Sequence, residues 1–421
     1  MCRRGRDGHA PQEPGSSFMK SAPKIAAICC CLSVIALSQN ASGVTFSDCI
    51  HSETMVGTWF DVQTTTPEIG QGYTGEQSPS QLGSSGMDIV IRPGATLAAN
   101  TAALDAFNRA AVQWEMYVLD PITVYIDADL EDMQSTSIIG GANTVVLFDP
   151  YTPLRDAVAA DAANEPDDDI VAALPATDGD IEFLVPPGNQ YAWEGNISAA
   201  KANYKALGVT GLDARFGETD ATITFNSGFA FDYDNRDGVD PNTIDFESVA
   251  VHELGHALGF LSEVDYIDRH LGGVGENRDP SAPTPTVLDL FRFRDDSAGH
   301  DPETAAEFTA FPRDLIPGEN HTFDQIDETW GLEAEIPLST GKETGDERQA
   351  SHWQDDVLAQ AYFGTMDPTL NYQSVRPVTL NDLRALDLIG YDVIPIPEPC
   401  STILAVAAMA AALAMPRRRR R

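Results

Sequence analysis

Two histidines and a glutamate in the stretch VAVHELGHALGF carry the most pointed chemistry in this 421-residue chain. His252 and His256 stand four residues apart, Glu253 lies between them, and Gly259 follows three residues after the second histidine. On a helix, residues i and i+4 share a face, so both imidazoles can grip one ion. Glu253 then sits one step round, beside a water on that ion. Zinc is the usual occupant of such a pair and lowers its water's pKa to about 7. Glu253 would take the water's proton as general base and pass it to a leaving amine, while zinc polarises the scissile carbonyl. The flanking Val249, Ala250, Val251, Leu254, Ala257 and Leu258 are apolar and predict a buried helix. A buried glutamate between two buried histidines is unfavourable unless a charge such as a metal compensates it. The competing reading is a satisfied pair of core histidines.

A catalytic zinc needs three protein ligands and an open fourth place. Downstream stand His270, His300, His321 and His352, with Glu263 and Asp265 as alternatives just past the glycine. His352 is singled out by its neighbours. It lies in Ser-His-Trp, 96 residues after His256, and Met366 follows 14 residues later in Gly-Thr-Met-Asp-Pro. A methionine in a tight turn there suits a soft side chain packed beneath metal-binding imidazoles.

The elements that must position these groups are partly legible. Residues 244–258 have helical composition, with Asp245 as N-cap and Gly259 as the C′ stop. Residues 87–94 read as a strand, 100–118 as an amphipathic helix and 120–130 as an alternating strand. That succession predicts a mixed sheet backed by a helix, an α+β fold. Residues 221–234 are strand-like, and 284–296 read as an ordered apolar strand or edge segment. Residues 51–87 show weak periodicity, and the acidic, Ala-rich 155–190 reads as surface loops and short helices. In the loop 232–245, Asp232, Asp234, Asp237 and Asp240 offer oxygen ligands for Ca2+, although the glycine is one place out of register for an EF-hand. A solvated loop capping the next helix is the alternative. Thr379 and Asp382 form a capping box for a core helix over 379–393, ended by Gly390. Tyr372 is a candidate oxyanion donor, with a structural role as the alternative.

Net charge is −38, and the basic residues are unevenly placed. Five precede position 44 and five close the chain, which leaves 16 of 26 facing all the acidic residues except Asp7, Glu13 and Glu398. Such a surface repels phosphate backbones and excludes nucleic acid as a partner. Residues 1–43 read as a leader. Met19, the expected start, opens a signal peptide with two lysines, an apolar run from Ile25 to Leu37 and the small residues Ala41, Ser42 and Gly43. Cys49 is the one cysteine between the two ends, so the mature chain forms no internal disulfide.

The tail 396–421 joins Pro-Glu-Pro at 397–399, a short apolar run from Ser401 to Met415, and five arginines. It resembles the PEP-CTERM sorting signal of bacterial exported proteins. The resemblance implies an exosortase-type processing enzyme, transient membrane association through the apolar run, and delivery to the cell envelope, surface or extracellular matrix. His-Glu-Leu-Gly-His-Ala-Leu-Gly-Phe, a long insertion, Ser-His-Trp and Met-Asp-Pro resemble the leishmanolysin-type metzincin proteases. In the compact pattern a histidine occupies the position of Ser262; in the leishmanolysin type an insertion displaces it. The resemblance implies a metzincin-like catalytic domain over 87–395, with a C-terminal part carrying the Met-turn. It makes His252, His256 and His352 the zinc ligands, Glu253 the base, Gly259 the turn and Met366 the Met-turn residue. Residues 44–86 become a candidate pro-segment or an irregular N-terminal region, and Cys49, in Cys-Ile-His, a candidate inhibitory thiol, with a bystander thiol as the alternative. The expected function is an exported zinc endopeptidase acting on peptide or protein substrates. The alternative is a surface or matrix adhesion protein on a protease fold.

Overall fold

The computed structural model describes residues 52–54, 58–62, 86–164, 169–187, 193–273, 283–295, 300–327, 330–332 and 334–395. The leader, Cys49 and the tail lie outside these residues. Among the described residues no helix is long and apolar enough to cross a membrane.

The chain is a mixed α+β fold built on a twisted mixed sheet. Its strands are β1 (Thr58–Val62), β2 (Asp88–Pro93), β3 (Thr123–Glu131), β4 (Ile138–Pro150), β5 (Asn196–Ala200), β6 (Ala221–Asn226) and β7 (Thr369–Leu370). The order is β7-β1-β4-β6-β3-β2, and β5 and Ser52–Thr54 also pair with β4. Strands β2, β3 and β6 run parallel, and β4 runs antiparallel to β6. A parallel pair needs a crossover, and helix α1 (Thr101–Glu115) provides it between β2 and β3. Asn100 caps α1 by accepting the Ala103 N–H at 3.2 Å. Its buried stripe of Ala103, Phe107, Ala110, Ala111 and Trp114 follows the helical period that the sequence shows.

Helix α1 packs on α2 (Phe246–Ala257), which carries the His-Glu-His motif. Arg109 and Gln113 of α1 both donate to Glu247, at 2.8 and 2.7 Å, and the Trp114 indole donates to the Val251 carbonyl at 3.0 Å. Beyond α2 follow the short helix α3 (Val264–Leu271) and the closing helix α4 (Leu380–Leu388). A second sheet orders Ile336–Leu338, His321–Phe323, Arg292–Arg294, Arg313–Asp314 and Phe183–Leu184. It orders the long excursion between the motif and His352, whose Phe291, Phe293, Phe308 and Phe323 join the same core as the main sheet and α2.

Two sequence expectations change. Within 155–190, Ile170, Val171, Leu174, Ile181 and Phe183 are buried, because this stretch covers the core and ends in a strand of the second sheet. Within the weakly periodic 51–87, residues 52–54 and 58–62 are strands on the edge of β4.

Candidate metal centre

Every residue of α2 is buried, so each polar side chain on it needs a partner. Asp245 caps the helix by accepting the Ser248 N–H at 3.1 Å, and burial raises its pKa to about 6. The far end is a Schellman turn: Gly259 N–H donates to His256 O at 3.1 Å and Phe260 N–H to Gly255 O at 3.1 Å. Gly259 adopts φ 118°, which a side chain would oppose.

His252 and His256 share one face of α2, and His352 meets them from 96 residues downstream. Their Nε2 atoms form a triangle with sides of 3.1, 3.1 and 3.2 Å. Each Nδ1 faces a backbone carbonyl: His252 that of Thr365 at 2.7 Å, His256 that of Phe260 at 2.8 Å, and His352 that of Gln349 at 3.0 Å. A carbonyl only accepts, so each Nδ1 carries the proton and each Nε2 presents a lone pair to the other two. Burial, with added repulsion from neighbouring imidazoles at His252 and His352, pushes all three pKa values down, to about 4 for His256. Three neutral imidazoles aiming lone pairs at one point repel unless a cation sits there. Two zinc–nitrogen bonds of about 2.0–2.1 Å at a tetrahedral angle hold their nitrogens about 3.3 Å apart, so the triangle fits zinc. Glu253 is wholly buried, neither of its oxygens has a hydrogen-bond partner among the described residues, and desolvation pushes its pKa well above the usual range. Gly140 on β4 makes its room: a Cβ there would lie 2.8 Å from Glu253 Oε1.

His352 is held by residues that the sequence offers as rival ligands. The Asp265 carboxylate accepts the N–H groups of Ala350 and Ser351, at 2.5 and 3.0 Å, and the Ser351 hydroxyl. Ser262 donates its N–H to Ser351 Oγ at 2.9 Å and its hydroxyl to Asp289 at 2.6 Å. Glu263 accepts the Thr284 N–H at 2.8 Å. Glu263 and Asp265 therefore tie the excursion together, and neither belongs to the converging triad.

Met366 packs against the motif helix at Gly255. A Cβ on Gly255 would collide with its sulfur, so the glycine inside the motif makes way for the methionine. Asp382 holds that turn, an unforeseen role for a residue read only as part of a cap. It accepts the Trp353 indole N–H at 2.8 Å and the Thr365 and Met366 N–H groups at 2.8 and 3.3 Å, besides completing its capping box with Thr379. The capping spacing was the one available signal.

The other candidates are elsewhere. His300 stacks on Phe293 and bonds Glu335 at 3.0 Å; His321 lies 3.0 Å from Arg292. His270 lies on α3 outside the triad, and Tyr372 is 38% exposed. In the acidic loop, Asp232 accepts the N–H groups of Asp234 and Asp240, and Asp234 pairs with Arg236. These carboxylates cap their own loop, and the four are not among the described groups whose ligand atoms converge. No protein family, no curated protein and no solved structure matches the chain.

Proposed function

We propose that the chain is an exported zinc-dependent endopeptidase of metzincin type. The observation that carries this reading is the pairing of three Nε2 lone pairs on one point with an unpartnered buried carboxylate on the same helix. His252, His256 and His352 would hold the zinc. Zinc bound there supplies a Lewis acid for the scissile carbonyl and lowers the pKa of an attacking water. Glu253 Oε accepts that water's proton and delivers it to the leaving nitrogen. The carbonyls of Thr365, Phe260 and Gln349 keep the imidazoles in the ligating tautomer. Met366 and Asp382 fix the floor under the ligands. The leader and the Pro-Glu-Pro tail support export and processing by an exosortase-type enzyme at the envelope.

A surface protein using this fold for adhesion has no need of Glu253. Zinc-loaded, N-terminally processed chain is expected to hydrolyse denatured casein, and Glu253→Ala to abolish this with zinc retained. A processed, zinc-loaded chain that hydrolyses nothing overturns the proposal in favour of adhesion.

A further inference from the structure

Two of the three imidazoles are backed by more than a carbonyl. His252 Nδ1 donates to the carbonyl of Thr365 at 2.7 Å. That carbonyl belongs to the Thr365–Met366 peptide. The N–H at the other end of the same peptide, on Met366, donates to Asp382 Oδ1 at 3.3 Å. His352 repeats the arrangement. Its Nδ1 donates to the carbonyl of Gln349 at 3.0 Å, and the N–H of the Gln349–Ala350 peptide donates to Asp265 Oδ1 at 2.5 Å. Each route runs from a carboxylate through one peptide unit to an imidazole. His256 is the contrast. Its Nδ1 meets the Phe260 carbonyl at 2.8 Å, and among the described residues no carboxylate accepts from the Leu261 N–H that completes that peptide.

Both aspartates stand in the first turn of a helix, Asp265 in α3 and Asp382 in α4, and both are buried. Asp382 accepts the Thr365, Met366 and Thr379 N–H groups, the Thr379 hydroxyl and the Trp353 indole. Asp265 accepts the Ala350 and Ser351 N–H groups and the Ser351 hydroxyl. Desolvation raises both carboxyls above their ordinary pKa, and these hydrogen bonds oppose it. Donors gathered round a carboxylate favour its charged form. A peptide is planar and conjugated, so its N–H and C=O respond to one another. An anion on the N–H makes the carbonyl a stronger acceptor, and bonds in such a chain reinforce each other by about 10–30%. A stronger acceptor on Nδ1 fixes the tautomer and raises the basicity of Nε2 as a ligand. A carboxylate that only tied a loop could accept any of its N–H groups. Both aspartates take the N–H of the one peptide that holds a triad imidazole.

We infer that Asp382 and Asp265 are positioning residues of the metal centre, each passing its negative charge through one peptide unit to a histidine, His252 and His352, and strengthening that imidazole as a ligand. The inference rests on reading the triad as a zinc site.

The test compares the full zinc-loaded chain with Asp382→Asn, Asp265→Asn and Thr379→Val. The last removes a hydroxyl from Asp382 and a helix cap but leaves the charge and the peptide in place. The Nδ1–H proton resonances of the three histidines, zinc affinity by competition with a chromophoric chelator, and the melting temperature are read for each. In the wild type the His252 and His352 resonances are expected downfield of that of His256. Asp382→Asn moves the His252 resonance upfield, Asp265→Asn that of His352, and each weakens zinc binding about 10–100-fold. Thr379→Val lowers the melting temperature and moves neither the resonances nor the zinc affinity. If Asp382→Asn does not fold, the Asp265 arm decides. Asparagine variants that lower the melting temperature with the resonances unmoved overturn the inference, as does Thr379→Val moving His252 as far as Asp382→Asn: the aspartates then only tie the loops. A wild-type chain that takes up no zinc overturns the reading of the triad and the inference with it; zinc bound with the resonances unmoved overturns the inference alone.

Discussion

Replacing Asp265 by asparagine separates the three histidines proposed to hold zinc from the residues that position the third of them, His352. The Asp265 carboxylate is buried and takes three hydrogen bonds from Ala350 and Ser351, the two residues before His352. Asparagine keeps the shape, but its amide N–H2 must face a donor. A hydrogen bond to a charged group contributes about 1.5–3 kcal/mol, and a buried donor left unsatisfied costs about 1–3 kcal/mol. Losing one bond and orphaning one N–H loosens the loop by about 3–5 kcal/mol. Relief of the desolvation that raises the Asp265 pKa offsets part of this. Ser262 still holds Ser351, and Arg292 still holds the Ala350 carbonyl at 2.6 Å, so the loop stays attached. Zinc affinity should therefore fall about 10–100-fold, the usual range for a group that orients a ligand. Competition with a chromophoric chelator measures this, beside the melting temperature of the zinc-free chain. Ser351→Ala and the double variant close a cycle, in which an interaction energy of about 1 kcal/mol or more is expected. A lowered melting temperature with unchanged zinc affinity refutes the reasoning: Asp265 then stabilises the core without placing His352.

His352→Ala should bind less than one zinc per chain by metal analysis; zinc content equal to wild type removes His352 from the ligand set. Glu253→Gln should keep its zinc and lose casein hydrolysis by about 10²–10⁴-fold, the share of a general base, and unchanged turnover would assign the proton transfer elsewhere. Gly255→Ala gains helix propensity of about 1 kcal/mol but drives a Cβ into Met366 and to within 3.3 Å of Trp114, overpacking that costs about 1–3 kcal/mol. Its melting temperature should fall or at best hold, and a clear rise would mean that Met366 does not pack there. Burial raises the pKa of Asp324 to about 8, with Asp301 and Glu335 adding repulsion. The folded state thus holds a proton that the unfolded chain releases near its ordinary value of 3.8, and this contribution is full below pH 3.8 and lost as pH rises to about 8. Asp324→Asn should flatten the fall of melting temperature over that window; an unchanged slope places the ionisation elsewhere.

What the sequence shows best is local. Helices α1, α2 and α4 are legible because period, cap and stop lie within about 15 residues of one another. Strand β4 is not. Both its faces are largely buried, so polar alternation is absent, and Gly140 and Gly141 interrupt its β-propensity; the reason for Gly140, the approach of Glu253, comes from an element 113 residues away. Strand β1 has the same difficulty, since its partners β4 and β7 supply the order that its own composition lacks. Asp382 reads correctly as a cap, yet its bonds to Trp353, Thr365 and Met366 are long-range and leave no periodic trace.

Ser262 shows why the proposed third ligand, His352, is inferred from its neighbours and not read directly off the motif. At this position the compact motif would spend a histidine, and the distance to the ion would be fixed by three residues of chain. Here the proposed ligand, His352, is 96 residues away, and closing a flexible loop of that length costs about 4 kcal/mol in chain entropy. The excursion is closed at its base by the stretch 262–265. Ser262 bonds Ser351 and Asp289, Glu263 bonds Asp289 and Thr284, and Asp265 bonds Ala350 and Ser351. Counting the Ser351 hydroxyl on Asp265, seven hydrogen bonds, most of them to carboxylates, offset the closure at about 1 kcal/mol or more each. Part of that cost is also met inside the excursion, where the second sheet orders its strands before His352 is reached. The residues just past the glycine turn thus stand outside the triad, but they determine where His352 stands.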